Sequence, residues 1–381
     1  MRYRWVVLGA GTAAQASWSA IWFGIAVLAP ALRARYGLSL GETGALLAAS
    51  LAGSTVSMIP WGILTDRIGE RPVLALGLGA CGASLLVAAE TGSFAALLVL
   101  LSFSGLAGAS VSAATGRAVM QWFPPSRRGL ALGIRQTAIP LGGFFSAVVL
   151  AHLGPAWGFR LLGIACLSGA LLGAALVREG PLSGEEGTIA GGARTLRERR
   201  LWLLSLGSAL LLTPQICLVG FTVLFLHDHR HVSAARAALV LAAIQLLGVA
   251  LRVSAGAWSD RFESRIVPLR RIALACVALV VVATALVDAP LGVLIPVLVA
   301  TGALGMSWNS LSFTATAEMA GAARSGSALG FQQTILNTVG ALLPPAFGFV
   351  VGATGWTLGF GLVAIGPFAG YLVLRPLAQT P

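Results

Sequence analysis

The chain has 381 residues, 57% of them hydrophobic and only 10% charged, with a formal net charge of +12. A soluble protein of this length needs far more charge to cover its surface, so the soluble classes are excluded. The basic excess is all arginine, and basic residues gather in the cytoplasmic loops of membrane proteins, so nucleic acid is not the expected partner.

Apolar runs long enough to cross a bilayer as helices recur from end to end. The first six cover 5–31, 41–64, 72–90, 93–121, 128–152 and 157–177. Arg2 and Arg4 ahead of the first run give it the look of a signal peptide. Its length and the runs that follow make it an uncleaved first helix instead. A hydrophilic stretch at 178–200 follows, with Glu185, Glu186, Arg194, Arg197, Arg199 and Arg200. The remaining six runs cover 201–226, 234–258, 268–287, 291–318, 325–351 and 355–376. The fold class is therefore an all-α membrane protein of twelve transmembrane helices. The expected domains are a bundle over 1–177, a linker over 178–200 and a second bundle over 201–381.

Arginines set the orientation. One set of loops holds Arg2, Arg4, Arg67, Arg71, Arg127, Arg128, the linker group, Arg261, Arg265, Arg270, Arg271, Arg324 and Arg375. The other holds Arg33, Arg35, Arg160, Arg230 and Arg236. The bias places both termini and the linker in the cytoplasm, the expected location being a bacterial inner membrane.

The halves repeat each other. Gly62-Ile63-Leu64-Thr65-Asp66-Arg67 returns 194 residues later as Gly256-Ala257-Trp258-Ser259-Asp260-Arg261. Ala131-Leu132-Gly133-Ile134-Arg135-Gln136-Thr137 returns 197 residues later as Ala328-Leu329-Gly330-Phe331-Gln332-Gln333-Thr334. An even number of spans separates the copies, so the repeats are parallel, related by an axis along the membrane normal.

The Gly-x-x-x-Asp-Arg stretch after the second run resembles the cytoplasmic signature of the major facilitator superfamily, and the copy after the eighth run resembles that family's weaker second copy. The resemblance implies two six-helix bundles around a central cavity that work by alternating access. It also implies a gate. Asp66 and Asp260 dock on helix ends, Arg67, Arg71, Arg261 and Arg265 add charged bonds, and Gly62 and Gly256 allow close helix approach. The alternative is that these charges only end helices and set topology. Glu70 stands where the family carries a basic residue, and Arg117 stands near its customary acidic partner; a reversed Glu70–Arg117 pair is expected.

Charges inside spans are costly and mark function. Three arginines qualify: Arg252, Arg135 and Arg117. No Asp or Glu lies in the middle of any span. A net positive interior favours a small organic anion, and the planar guanidinium suits a carboxylate. Each arginine has a structural alternative: a pair with Asp260 for Arg252, packing on backbone carbonyls for Arg135, and the Glu70 pair for Arg117. Gln15, Trp18, Trp308, Asn309, Gln332, Gln333 and Asn337 are the expected polar companions, with Trp22, Gln136 and Gln245 as further intramembrane polar groups. Arg252-Val253-Ser254-Ala255-Gly256 resembles the eighth helix of monocarboxylate and oxalate/formate carriers. Arg117 to Gly143 resembles the matching segment of these and of cyanate-type permeases.

The expected function is secondary transport of a small carboxylate-like anion. The rival is a proton-coupled drug exporter of the same fold. No enzymatic constellation, cofactor or metal is expected; the only partners are the anionic substrate and the bilayer, and the working unit is a monomer. The four cysteines, Cys81, Cys166, Cys217 and Cys276, read as buried packing residues. The outer cluster His227, Asp228, His229 and His231 reads as a solvated loop, the alternative being a metal ion shared by histidines spaced by two. Pro60, Pro140, Pro214, Pro296, Pro344 and Pro345 are expected to kink their helices.

Overall fold

The computed structural model describes residues 3–178, 180–181, 198–259, 264–320 and 325–378. The side chains of residues 66, 125–130, 257 and 325–327 also lie outside the description. Regular structure among the described residues is helical throughout.

Twelve helices there are long and apolar enough to cross a membrane. They are α1 (Tyr3–Tyr36), α2 (Leu40–Thr65), α3 (Glu70–Glu90), α4 (Phe94–Trp122), α5 (Ala131–His152) and α6 (Pro155–Leu176). In the second half they are α7 (Arg199–His229), α8 (Ala234–Gly256), α9 (Ile266–Ala285), α10 (Leu291–Ala320), α11 (Ala328–Thr354) and α12 (Trp356–Val373). The chain divides into two compact units, Met1–Leu38 with Ala45–Glu186, and Ser39–Gly44 with Gly187–Pro381. The charged linker residues Glu185, Glu186, Arg194 and Arg197 lie outside the described residues.

Local sequence sets the helix starts. Ser39 and Glu42 form a capping box at α2: the Ser39 amide donates to Glu42 Oε2 at 2.8 Å and the Glu42 amide to Ser39 Oγ at 3.2 Å. Ser233, 194 residues on, caps α8 by accepting from the Arg236 amide. The turn from α2 into α3 passes through Gly69, whose φ of 84° lies in the region open to glycine.

Small residues set the packing. In the first unit α3 crosses α6 with glycine facing glycine: a Cβ at Gly82 would stand 2.8 Å from the Gly163 carbonyl, and one at Gly163 2.9 Å from that of Gly82. A Cβ at Gly53 of α2 would strike the Ser102 carbonyl of α4, and one at Gly105 that of Ser50. In the second unit Gly207 of α7 and Gly370 of α12 play the same part: the Cβ of Gly370 would come 2.9 Å from the Gly207 carbonyl. Apolar solvent on the outside leaves helix association to close backbone packing of this kind.

Four spans are interrupted among the described residues: α5 at Thr137 and α12 at Ala364, each three residues ahead of a proline, Pro140 and Pro367, and α4 and α10 without one. α4 runs Phe94–Gly108, turns at Ala109 and resumes at Ser110. α10 runs Leu291–Leu304 and resumes at Trp308. Ala109 and Met306 stand 197 residues apart, so the interruption belongs to the repeat. Neither falls at a proline, and Pro60, Pro296, Pro344 and Pro345 sit inside continuous helices. Glycines flank both sites, Gly108 in one and Gly305 in the other, where the helix gains least from its side chains. α7 differs: Pro214 removes a backbone donor, and a π-helical turn, Gln215–Val219, follows at once.

Candidate functional site

Arg135 sits about one turn into α5 and draws three helices of the first unit together. Its Nε donates to Thr115 Oγ1 on α4 at 2.8 Å. Its Nη2 donates to the Ser112 carbonyl at 3.2 Å and to Gln15 Oε1 on α1 at 3.3 Å. Thr115 gives its own hydroxyl proton to the Val111 carbonyl one helical turn back, which leaves its oxygen free to accept from the arginine. Every acceptor here is neutral. Beside the guanidinium a recess of about 10 Å³, walled by Gly11, Thr12, Thr115 and Ala118, has room for about one water.

Trp18 and Trp22 lie on the same helix as Gln15. Their rings meet edge to face with centroids 4.7 Å apart. Trp18 is 1% exposed, and its indole lies so close to Gly108 that a Cβ there would overlap it. Among the described residues neither indole N–H has an acceptor. A buried donor left this way carries a desolvation penalty that a water or polar ligand would remove.

The second unit repeats the arrangement without the charge. Gln332, fully buried on α11, donates from Nε2 to Ser312 Oγ on α10 at 2.7 Å. Ser312 in turn shares a short hydrogen bond with Ser208 of α7. Gln332 and Ser312 stand 197 residues after Arg135 and Thr115. Gln332 Oε1 has no partner among the described residues. On the same helix Gln333 Nε2 donates to Asn337 Oδ1 at 2.7 Å.

Arg252 is placed differently. It is buried on α8 and donates to the Met306 carbonyl from Nε at 3.3 Å and from Nη2 at 3.2 Å. That carbonyl sits at the α10 interruption. Asn309 Nδ2 donates to the same carbonyl at 3.1 Å and to Gln215 Oε1 at 3.1 Å. Ser310 closes the ring by donating to the Arg252 carbonyl. Arg252 and Asn309 therefore both hold the broken helix. Trp308 is fully buried and packs in a core with Leu211, Leu311, Ala315 and Leu336. One face of α8 also carries Gln245, fully buried, with both amide atoms unpartnered among the described residues.

The signature stretches are only partly described. The side chain of Asp66, and Asp260 and Arg261 entirely, lie outside the described residues. Arg67 and Arg71 are exposed. No described atom lies within 4 Å of a Cβ built at Gly62 or Gly256, so neither glycine supports a close helix approach here. Those approaches fall at Gly53 and Gly105 instead, where helices meet backbone to backbone. Glu70 Oε1 lies 3.5 Å from Arg117 Nε, with Glu70 only 1% exposed. Arg117 also donates to the Thr65 carbonyl, which ties the ends of α2, α3 and α4 together. In the second unit the polarity is opposite: Arg265, ahead of α9, pairs with Glu318 of α10 at 3.2 Å and donates to Ser259 Oγ at 2.6 Å.

Sequence reasoning missed Thr115, Ser112, Ser208 and Ser312. The available signal was the repeat: Thr115 and Ser312 share the 197-residue offset of Arg135 and Gln332.

A polytopic helical membrane protein built from a duplicated unit, with paired polar networks between its helices, is the class these features define. The Major Facilitator Superfamily model matches residues 8–345, and the chain belongs to that family. An uncharacterized MFS-type transporter of Mycobacterium tuberculosis is 33% identical, covering 99% of this chain and 86% of the relative. A probable sulfoacetate transporter of Cupriavidus necator is 24% identical, covering 93% and 89%. The crystal structure of a bacterial homologue of the human lysosomal transporter Spinster superposes with a TM-score of 0.83 at 16% identity, over 99% of this chain and 98% of that one. The chain is thus a multi-pass membrane transporter and not an enzyme.

Proposed function

We propose that this transporter carries a small organic anion, a carboxylate in the first instance, by alternating access, with Arg135 as the charge that meets it. The observation behind this reading is the intramembrane guanidinium of Arg135, held among the described residues by the neutral acceptors Thr115, Ser112 and Gln15. A charge at that depth is costly unless balanced, and an anionic cargo balances it when bound. Nη1 takes no part in these bonds, and giving up the 3.3 Å Gln15 bond on Nη2 completes a planar fork for a carboxylate. In the same unit Trp18 and Trp22 supply buried indole N–H groups without acceptors among the described residues. A relative named for sulfoacetate, itself an organic anion, agrees with the reading. Arg252, the deepest of the three arginines by its place in the sequence, takes a supporting role, because its donors are directed to the α10 interruption.

Thermal stabilisation of the purified protein over a panel of small acids, amines and neutral drugs tests this, with Arg135→Gln and Arg252→Met in parallel. A ligand that binds only the folded state raises the melting temperature. The expected result is stabilisation by small carboxylates, lost in Arg135→Gln and kept in Arg252→Met. Stabilisation by amines or neutral drugs that ignores Arg135 would overturn it in favour of an exporter.

A further inference from the structure

We infer that the second unit carries a site for one anionic phospholipid, with the headgroup phosphate on Arg271 and an acyl chain in the groove below it. The groove has a volume of about 370 Å³ and runs between α8, α9 and α10. Its walls include Leu251, Ala255 and Trp258 from the α8 helix, Arg271 from α9, and Leu304 and Ser307 from α10.

The distribution of chemistry along the groove matches a lipid. Arg271 is exposed, and its guanidinium lies 6.0 Å from the centre of the Trp258 ring. It stands five residues inside the first residue of α9, roughly 8 Å along the helix at its normal rise. Ile272 and Ala275 lie deeper on the same helix, and with Leu251 and Leu304 they make the lower walls apolar. A neighbouring cation, Arg270, donates to the Tyr371 carbonyl and lies 4.2 Å from the centre of the Tyr371 ring. Arginine with Trp and Tyr at one level is the pattern of a membrane–water interface. An apolar groove at that depth in a membrane-spanning unit suits an acyl chain better than water. The basic rim selects an anionic headgroup over a zwitterionic one. The bound chain would lie against Leu304 and Ser307, which bracket the α10 interruption, so occupancy would brace the helix that Arg252 holds. The inference is independent of the cargo assigned to Arg135.

Native mass spectrometry of the purified transporter, titrated with phosphatidylglycerol or phosphatidylcholine of identical acyl chains, is the test. One phosphatidylglycerol should be retained preferentially. Arg271→Gln should weaken that retention about fivefold, the share that one arginine near an anionic surface contributes. Ala275→Trp, which fills the groove from an exposed position, should weaken retention of both lipids. Added inorganic phosphate should not compete, since it lacks the chain. Equal retention of the two lipids, unchanged retention in Arg271→Gln, or displacement by phosphate alone would each overturn the site. Arg271→Gln alters an exposed side chain, so its result stands even if Ala275→Trp fails to fold.

Discussion

Gln332 donates to Ser312 across the same 20-residue separation that joins Arg135 to Thr115, at 2.7 Å against 2.8 Å. The duplicated unit has kept the geometry and changed the charge. Arg135→Gln therefore converts the first network into a copy of the second. It should leave the Thr115 bond and the melting temperature nearly intact while anion affinity falls. Loss of a hydrogen bond to a charged group, about 1.5–3 kcal/mol, corresponds to roughly a 10- to 150-fold loss. Equilibrium binding of the stabilising carboxylate measures this directly; an unchanged affinity would remove Arg135 from the site.

For Arg252 the expected phenotype is structural. Arg252→Met removes two donors from the Met306 carbonyl, but Asn309 still donates there. The stability loss should sit near the low end of about 1–3 kcal/mol. Adding Asn309→Ala leaves that carbonyl without either side chain, so the double variant should lose more than the sum of the singles. Thermal unfolding of the four proteins gives the coupling, and strict additivity would show that the two side chains do not share the carbonyl.

The Glu70–Arg117 pair makes an unequal prediction for its two ends. Arg117→Met removes the cation that lies 3.5 Å from a carboxylate only 1% exposed, a kind of change that costs up to about 3–5 kcal/mol in buried pairs. Glu70→Gln leaves the less buried arginine, which keeps its bond to the Thr65 carbonyl, so it should cost less. Exchanging both charges, Glu70→Arg with Arg117→Glu, should recover stability and transport only in part. The new carboxylate restores the pair but cannot donate to Thr65. Expression level, melting temperature and uptake of these variants beside the wild type test the order.

Glycines separate into two groups. Gly53→Ala and Gly105→Ala drive a methyl into a facing carbonyl and should sharply lower stability and yield. Gly62→Ala and Gly256→Ala meet no described atom within 4 Å, and helical alanine is favoured over glycine by about 1 kcal/mol. These two should melt at or above the wild-type temperature. A fall in transport despite that stability would show that the signature glycines are needed in another state of the cycle, and unchanged transport would remove them from the gate.

The spans are legible in the sequence because bilayer thickness imposes a length on every apolar run; the expected edges of α3 and α10 fall within two residues of those observed. Arg135 and Arg252 are legible for the same reason, since a charge inside such a run stands out. Their surroundings are not. Thr115, Ser112 and Ser312 read as ordinary helical hydroxyls, which usually bond to their own preceding turn, and Thr115 does so as well as accepting from Arg135. Depth ranks Arg252 above Arg135, yet depth does not tell which carbonyl a guanidinium faces. The α10 interruption is hidden too: Gly305-Met306-Ser307 contains no proline, and proline is the residue at which a bend is expected.

That interruption has a mechanical meaning. The halves of α10 are joined through a carbonyl bonded from outside, by Arg252 on another helix and by Asn309, instead of by an unbroken ladder along the helix axis. Bending a continuous helix strains its ladder. Here the two rods share a joint, and tilting one against the other exchanges a few side-chain bonds while each rod keeps its own ladder. With α4 interrupted at the corresponding position, each unit carries such a joint at the same place in the repeat.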